Sequence, residues 1–429
     1  MKFKIKCFLV LSFFISFFSQ KDVFANVFYT LPAQEFITAF EIGITTNDTG
    51  QYVYLAIGDN VVPFNNLNIF VSSDFGRTFS DPVVLDGILV IPQIITNDTG
   101  QFANVIWANG ATTLTSFSSD FGANFSSAIS VDIDSNNPLL TASRSGQFVY
   151  GIWDAGIIHL RASSDFGHRW YPIITMGSTG GPSSPPKIST DNSGRYVYAI
   201  WEDSSDKIQV RVSSDFGESF ASSAELAPGG SLTPDITTNS DGQFGYAIWE
   251  DSTRLKVSTS SDFGVNWTTS IELGSSISQS RPEIATDKTG QFVHALWTDG
   301  TAKVQVRSSS DFGANFKPAK VLGLRSSSTS ATPKLATDIT GQYVYVIWND
   351  STFNVLMSVS TDFGNSFELA TTLTSSPEAT SKTFTNLALN LFGKYVYGFW
   401  LNDDLSTRIP KFVNATRLLF PKKVSLMNQ

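Results

Sequence analysis

The sequence predicts an all-β fold, a β-propeller built of four-stranded antiparallel blades. Two interleaved repeats predict it, together with short β-branched and aromatic runs that show no helical period. The first repeat has the form [ST]-[ST]-D-F-G-x-x-[FW] and occurs seven times. The second reads "TGQYVYVIW" at 340–348, and its glycine occurs eight times. Both repeats recur every 45–52 residues, a spacing typical of propeller blades.

One unit, taken from residue 281, shows how the two repeats divide into strands. "PEIAT" is strand A, and a tight "DKTG" turn leads to strand B, "QFVHALW". Strand C is "KVQVRSS", and the "SDFGAN" turn leads to strand D, "FKPAKVL". Gly, Asn, Asp, Ser and Pro bound each run, as expected for strands joined by turns.

The number of blades follows from the last and first segments of the chain. The last unit, from about residue 381, has strands A, B and C but no SDFG turn. The N-terminal segment "NVFYTLPA" (26–33) is similar to a strand D. We therefore predict eight blades in one domain, 26–429, closed by pairing of 26–33 with the C-terminal strand. A seven-bladed ring with a stray hairpin is the alternative.

The repeated aspartate is predicted to be structural. Its side chain can accept hydrogen bonds from N–H groups of its own turn, the glycine can take positive φ, and the aromatic residue can pack under the turn. A catalytic aspartate is needed once, whereas this one occurs seven times, at Asp74, Asp120, Asp165, Asp215, Asp262, Asp311 and Asp362.

Residues 1–25 have the character of a cleaved signal peptide. Three lysines precede the apolar run "CFLVLSFFISFF" (7–18), which is too short to span a bilayer, and Ala25 suits the cleavage position. Cleavage there removes four lysines, one aspartate and the only cysteine, Cys7, so the net charge goes from −9 to −12. We expect a secreted, periplasmic or cell-surface protein without disulfides, without a later membrane span and with no affinity for nucleic acid.

The SDFG repeat resembles the Asp-box, or bacterial neuraminidase repeat, and its seven matches in phase cover nearly the whole mature chain. The resemblance implies a sialidase-like β-propeller in which the box closes the turn between strands C and D. The Asp-box occurs in sialidases and also in proteins without sialidase activity, so the resemblance implies the fold more strongly than the chemistry.

Sialidase-like catalysis would need three arginines, a tyrosine nucleophile assisted by a glutamate, and an aspartate acid/base. Ten of the twelve tyrosines fall in strand B, which leaves only Tyr29 and Tyr171. Arg281, Arg325 and Arg408 are the arginines that such a site would have to recruit, and "RIP" (408–410) follows the last box, whereas the family's motif precedes the first. No metal-ligand cluster or phosphate loop is present, and we expect no cofactor, no metal and no catalytic residues.

Residues that break the repeat are the candidates for function. Strand A lines the channel of a propeller, and the B–C and D–A loops open on one face. The first position of strand A carries charge in four consecutive units, and the B–C loops add acids. The predicted ligand-binding residues at this channel mouth are Lys187, Asp235, Glu283, Lys334, Arg281, Asp203, Asp251, Asp299 and Asp350. A solvated rim whose aspartates only form local turns is the alternative.

The function we expect from these observations is non-catalytic recognition of a glycan or a protein partner at the channel-mouth face. The alternative is an exo-sialidase-like glycoside hydrolase. A purely structural surface component is a third interpretation, which only the regularity of the blades supports.

Overall fold

A computed structural model describes 28–30, 34–35, 41–58, 66–86, 92–110, 112–133, 136–181, 184–228, 230–276, 280–325, 332–352, 354–374, 381–403 and 408–417. Within these ranges every regular element is a strand, and no helix is long and apolar enough to cross a membrane. The strands form eight antiparallel sheets, which are the blades of a propeller. The predicted signal peptide, 1–25, lies outside the described residues.

Blades 1 to 4 are four-stranded, and each follows the order A-B-C-D along the chain. Their strands are Glu41–Thr46, Val53–Gly58, Asn66–Ser72 and Val83–Asp86; Gln93–Thr96, Ala103–Asn109, Thr112–Ser118 and Ile129–Ile133; Asn136–Ala142, Val149–Asp154, Ile157–Ser163 and Ile174–Ser178; Lys187–Thr190, Val197–Glu202, Ile208–Ser213 and Ala224–Ala227.

Blades 5 to 7 repeat the same arrangement. Their strands are Ser231–Thr238, Gly245–Asp251, Arg254–Ser260 and Ile271–Ser275; Glu283–Thr286, Val293–Thr298, Lys303–Ser309 and Lys320–Leu324; Lys334–Thr337, Val344–Asn349, Val355–Ser360 and Thr371–Thr374.

The eighth blade joins the two ends of the described chain. Strands A to C are Ser381–Leu389, Tyr395–Asp403 and Arg408–Arg417, and the N-terminal strands Phe28–Thr30 and Gln34–Glu35 both pair with the third. Phe28 lies opposite Arg417 in an antiparallel register. The predicted closure by the N-terminal segment is therefore confirmed over 28–30, and the last unit is a blade, not a stray hairpin.

A circle of backbone hydrogen bonds closes the ring at the A–B turns. In each turn one N–H donates to the carbonyl oxygen of the corresponding residue in the next blade, at 2.9–3.2 Å. The last bond, from Leu391 to Asp48, connects blade 8 to blade 1. The participants are Asp48, Asp98, Arg144, Asn192, Ser240, Lys288, Ile339 and Leu391. Because the last bond returns to blade 1, each of these turns is paired with both of its neighbours and the ring is closed.

The core lies between adjacent blades, where strand B of one blade packs on its predecessor. The strand-B tryptophan shares a buried cluster with strand C of the preceding blade, as Trp249 does with Ile208 and Val210. Six strand-B tyrosines donate their hydroxyl to the carbonyl of the A–B turn glycine in the following blade: Tyr54, Tyr150, Tyr198, Tyr246, Tyr345 and Tyr397. These tyrosines are fully buried, so the repeated tyrosine fastens one blade to the next.

Each SDFG turn is held by its aspartate. In all seven turns a carboxylate oxygen accepts the backbone N–H four residues later, at 2.9–3.0 Å, and the hydroxyl of the serine two residues before it, at 2.7–2.9 Å. In blade 5 the backbone N–H of Asn266 holds the pKa of Asp262 below its usual value. These are the hydrogen bonds predicted for a structural aspartate that stabilises its own turn.

The SDFG turns differ from the expectation in one respect. The phenylalanine as well as the glycine has positive φ in every turn, for example 60° at Phe263 and 79° at Gly264. This conformation is unfavourable for a bulky residue. The phenylalanine ring is held by an aromatic ring of the preceding blade, as Phe263 stacks on Tyr196 with 4.5 Å between centroids. Contact between blades therefore offsets the local backbone strain.

Candidate functional site

The predicted channel mouth contains a small cavity at the start of strands A. Its volume is about 90 Å³, and its walls come from blades 4 to 7 and from the D–A segments that lead into them. Four of the predicted ligand-binding residues line it: Lys187, Arg281, Glu283 and Lys334. The remaining lining residues are Pro185, Thr233, Pro234, Pro282 and Thr332.

Glu283 and Lys334 form an ion pair across the junction of blades 6 and 7. The lysine Nζ lies 2.5 Å from Oε1, and the second carboxylate oxygen accepts the backbone N–H of Leu335 at 2.7 Å. Both side chains are largely buried, with 18% and 28% exposed. Glu283 therefore links two neighbouring strands A, and most of its charge is balanced within the protein.

Asp235 makes the same type of link one blade earlier. Its Oδ2 accepts the backbone N–H of Ile284 at 3.1 Å. Burial raises the pKa of Asp235 to about 6, and the positive charge of Lys187 opposes this shift while the negative charge of Glu283 adds to it. The carboxyl group thus changes its charge within the range of pH that proteins meet in nature.

Lys187 and Arg281 are the remaining cations of the cavity, and neither forms an ion pair or a hydrogen bond with another described side chain. Arg281 is exposed and its backbone has φ of 49°, in the left-handed region. Thr233, at the equivalent position of the preceding blade, has φ of 46°. Each residue precedes a proline, which further restricts its backbone. Strained backbone of this kind is concentrated at functional sites.

Thr233 is a site residue that the sequence did not indicate. Only 6% of it is exposed, and its hydroxyl oxygen has no hydrogen-bond partner among the described residues. Its backbone N–H donates to the Ser184 hydroxyl at 3.1 Å. The one signal in the sequence was the proline that follows Thr233, because a proline also directly precedes Lys187, Glu283 and Lys334 in the neighbouring units.

The predicted B–C loop aspartates have a different role from the strand-A residues. Asp299 accepts the backbone N–H groups of Thr301 and Lys303 at 2.8 and 3.0 Å, the Thr301 hydroxyl at 2.8 Å and the Gln305 amide. Asp350 makes the same set of bonds in blade 7, and Asp203 a similar set in blade 4.

A carboxylate has about four acceptor positions, so four bonds leave Asp299 and Asp350 little capacity for a ligand. Their turns correspond to the alternative interpretation of a rim of local turns. Asp251 ends strand B of blade 5, opposite Arg254 in the register, and does not line the mouth cavity.

The other end of the channel opens into a larger cavity of about 380 Å³, lined by the A–B turns. Its side chains are tied into those turns. Asp287, for example, accepts the backbone N–H of Phe292 at 2.8 Å and that of Thr289 at 3.0 Å. Lys288 also lines this opening. This end of the channel is larger than the mouth, but its polar groups mainly stabilise the ring.

The residues of the sialidase alternative are not brought into one cavity. Arg281 lines the mouth, whereas the Tyr171 hydroxyl lies 2.6 Å from the Ser164 hydroxyl in the SDFG turn of blade 3. Tyr171 belongs to the SDFG-turn end of blade 3 and Arg281 to the mouth end of blade 6, and the length of a seven-residue strand alone separates these two ends of the propeller by roughly 20 Å. Arg325 is 5% exposed and lies near Glu250. Tyr29 and Arg408 are described by their backbone alone.

Comparison with known proteins shows the fold and little else. No family model matches the sequence, and no curated protein matches it. A solved structure described as the Dos1 propeller has a TM-score of 0.60 at 11% identity, over 90% of this chain and 94% of that one. A structure from a study of two prolyl endopeptidases has a TM-score of 0.50 at 11% identity and covers 85% of this chain. This chain spans about 55% of that endopeptidase chain.

Proposed function

We propose that this chain is an exported recognition protein that binds a glycan or a protein partner at the channel mouth of blades 4 to 7. The propeller fold is common to many binding proteins and does not by itself identify a ligand. The observation that carries the proposal is the mouth cavity. Two cations that have no ion-pair partner among the described residues occur there together with two strained backbone positions.

The distribution of variation between the blades supports this location. The A–B end repeats the same hydrogen bond eight times, and the SDFG turns repeat theirs seven times. The strand-A position seven residues before the A–B turn glycine changes from blade to blade, with Lys187, Asp235, Glu283 and Lys334 in succession. A scaffold needs the repeated groups, whereas recognition of one ligand needs groups that occur once.

The proposal of a non-catalytic role rests on the tyrosines. Six strand-B hydroxyl groups are used between blades, and burial raises the pKa of Tyr198, so it is a poor nucleophile. The resemblance of the SDFG turns to the Asp-box keeps an exo-sialidase as the second candidate. Export rests on the predicted signal peptide, and N-terminal sequencing should place the mature terminus near Asn26.

Two assays on the purified mature protein test the function. The protein is applied to a glycan array and incubated separately with a fluorogenic sialoside. We expect binding without turnover, weakened by Lys187→Ala and unchanged by Lys288→Ala at equal melting temperature. Lys288 is the matched control because it lies at the opposite end of the same channel. Turnover that Tyr171→Phe abolishes would replace the proposal with the sialidase alternative, and binding that only Lys288→Ala weakens would place the site at the other end.

A further inference from the structure

We infer that the mouth cavity binds a tetrahedral oxyanion, a sulfate or phosphate group, between Lys187 and Arg281. The inference rests on the proposed binding site, but it concerns the chemistry of the ligand and can fail separately. It follows from the charge of the cavity, from its size and from the blades that supply its cations.

The charge of the cavity opposes that of the whole protein. The cavity is lined by three cations and one carboxylate, so its lining carries a net positive charge, whereas the whole chain has a net charge of −9. Lys334 and the N–H of Leu335 already satisfy Glu283. Lys187 and Arg281 have no ion-pair partner among the described residues, so their charges are available to an anion. Asp235 interacts with Lys187 and cancels part of the positive charge while it is ionised.

The size of the cavity limits the ligand group. A volume of about 90 Å³ is well below the roughly 300–1,000 Å³ of typical small-molecule pockets. A space of this size suits one charged group, so the rest of a larger ligand remains on the mouth surface.

The donors approach from several blades. Lys187 begins strand A of blade 4, Arg281 lies before strand A of blade 6, and Lys334 begins strand A of blade 7. Cations that come from three blades suit a group whose oxygens point in several directions. A planar carboxylate is better served by a single guanidinium that binds it side on.

Titration calorimetry on the full mature protein tests this inference, with sodium sulfate, sodium phosphate and sodium acetate at matched ionic strength. We expect saturable binding of sulfate or phosphate to one site, and at least tenfold weaker binding of acetate. Lys187→Gln and Arg281→Gln should each weaken sulfate binding by roughly tenfold, which corresponds to about 1.4 kcal/mol. Lys288→Gln is the control and should bind as the wild type does. Melting curves identify any variant that fails to fold.

A sulfated monosaccharide and O-phosphoserine, added as competitors, separate the two possible carriers of the anion. Displacement of sulfate by either supports the inference and identifies the carrier. The inference is wrong if sulfate and phosphate do not bind saturably, if acetate binds equally well, or if Lys288→Gln weakens binding as much as Lys187→Gln. Loss of array binding in Lys187→Ala together with no sulfate binding would retain the proposed function and overturn only the oxyanion.

Discussion

Removal of one buried tyrosine hydroxyl is the most direct test of how the blades are joined. Tyr198 is fully buried, and its hydroxyl donates to the carbonyl oxygen of Gly242 in the next blade at 2.6 Å. Tyr198→Phe removes the hydroxyl donor, so the buried carbonyl oxygen of Gly242 loses this hydrogen bond. A buried acceptor that loses its partner costs about 1–3 kcal/mol, and we expect the free energy of unfolding to fall by that amount.

The expected change in melting temperature is small because the ring is large. Unfolding entropy near 2.1 cal/mol/K per residue gives about 0.8 kcal/mol/K for roughly 400 residues, so Tm should fall by about 1–4 °C. Denaturation by urea, followed by tryptophan fluorescence, measures the free energy directly, because the strand-B tryptophans lie between blades.

A matched control lies in the same strand. Tyr196 stacks on Phe263, and its hydroxyl has no hydrogen-bond partner among the described residues. Tyr196→Phe makes the same chemical change and keeps the stacked ring, so its stability should stay within about 0.5 kcal/mol of the wild type. Equal losses in both variants, or no loss in Tyr198→Phe, would refute the idea that the hydroxyl joins the blades.

Three further predictions concern single titratable groups. Asp262→Ala should lower the free energy of unfolding by about 1–3 kcal/mol without changing ligand affinity, because the turn loses its hydrogen-bond acceptor. Thermal melting measures the first effect and calorimetry the second, and a folded variant that no longer binds would contradict the prediction. His294 occupies the position of the repeated tyrosine, and burial lowers its pKa to about 4. The free energy of unfolding should therefore be highest above pH 6.5, the usual pKa of histidine, and should fall by up to about 3 kcal/mol as the pH is lowered towards 4. His294→Tyr should remove that fall in melts recorded from pH 7 to 4, and an unchanged pH profile would count against it. The pKa of Asp235 is raised to about 6, so between about pH 4 and 6 the folded protein holds a proton that the unfolded chain has lost. Stability should therefore decrease as pH rises through this window. Asp235→Asn should flatten the pH profile of stability and raise Tm at pH 7.5.

The sequence was sufficient for the architecture because the architecture depends on repeated local chemistry. Eight strand-B glycines predicted eight blades, and the similarity of 26–33 to a strand D predicted the closure now observed between Phe28 and Arg417. Turn geometry is set within a few residues, so the role of the SDFG aspartates was also accessible. Spacing could not show that the Tyr198 hydroxyl reaches a glycine 44 residues later, because that contact depends on how two blades pack.

The candidate site was predicted only in part, for a related reason. The repeat register placed Lys187, Glu283 and Lys334 at equivalent positions of blades 4, 6 and 7, and Arg281 lies two residues before Glu283; all four line one cavity. The same register could not separate Asp299 from them, because whether a carboxylate is free depends on hydrogen bonds that its own loop makes. Thr233 was missed because a threonine before a proline has no special signal in sequence until its backbone angle and burial are known.

The two ends of the channel suggest how a repetitive ring acquires a specific function. At the A–B end every blade contributes one N–H and one carbonyl to the closing circle, so a change there affects the stability of the whole ring. At the mouth the inner strands are joined by side chains that differ from blade to blade, such as the Asp235 link to Ile284 and the Asn386 amide link to Ile42 at 2.7 Å. Side-chain links can be replaced one at a time without opening the ring. Substitution at the mouth should therefore change ligand preference at little cost in stability. Because the two ends of the channel have these different roles, variants of Lys187 and Lys288, which lie at opposite ends, are a useful pair to compare.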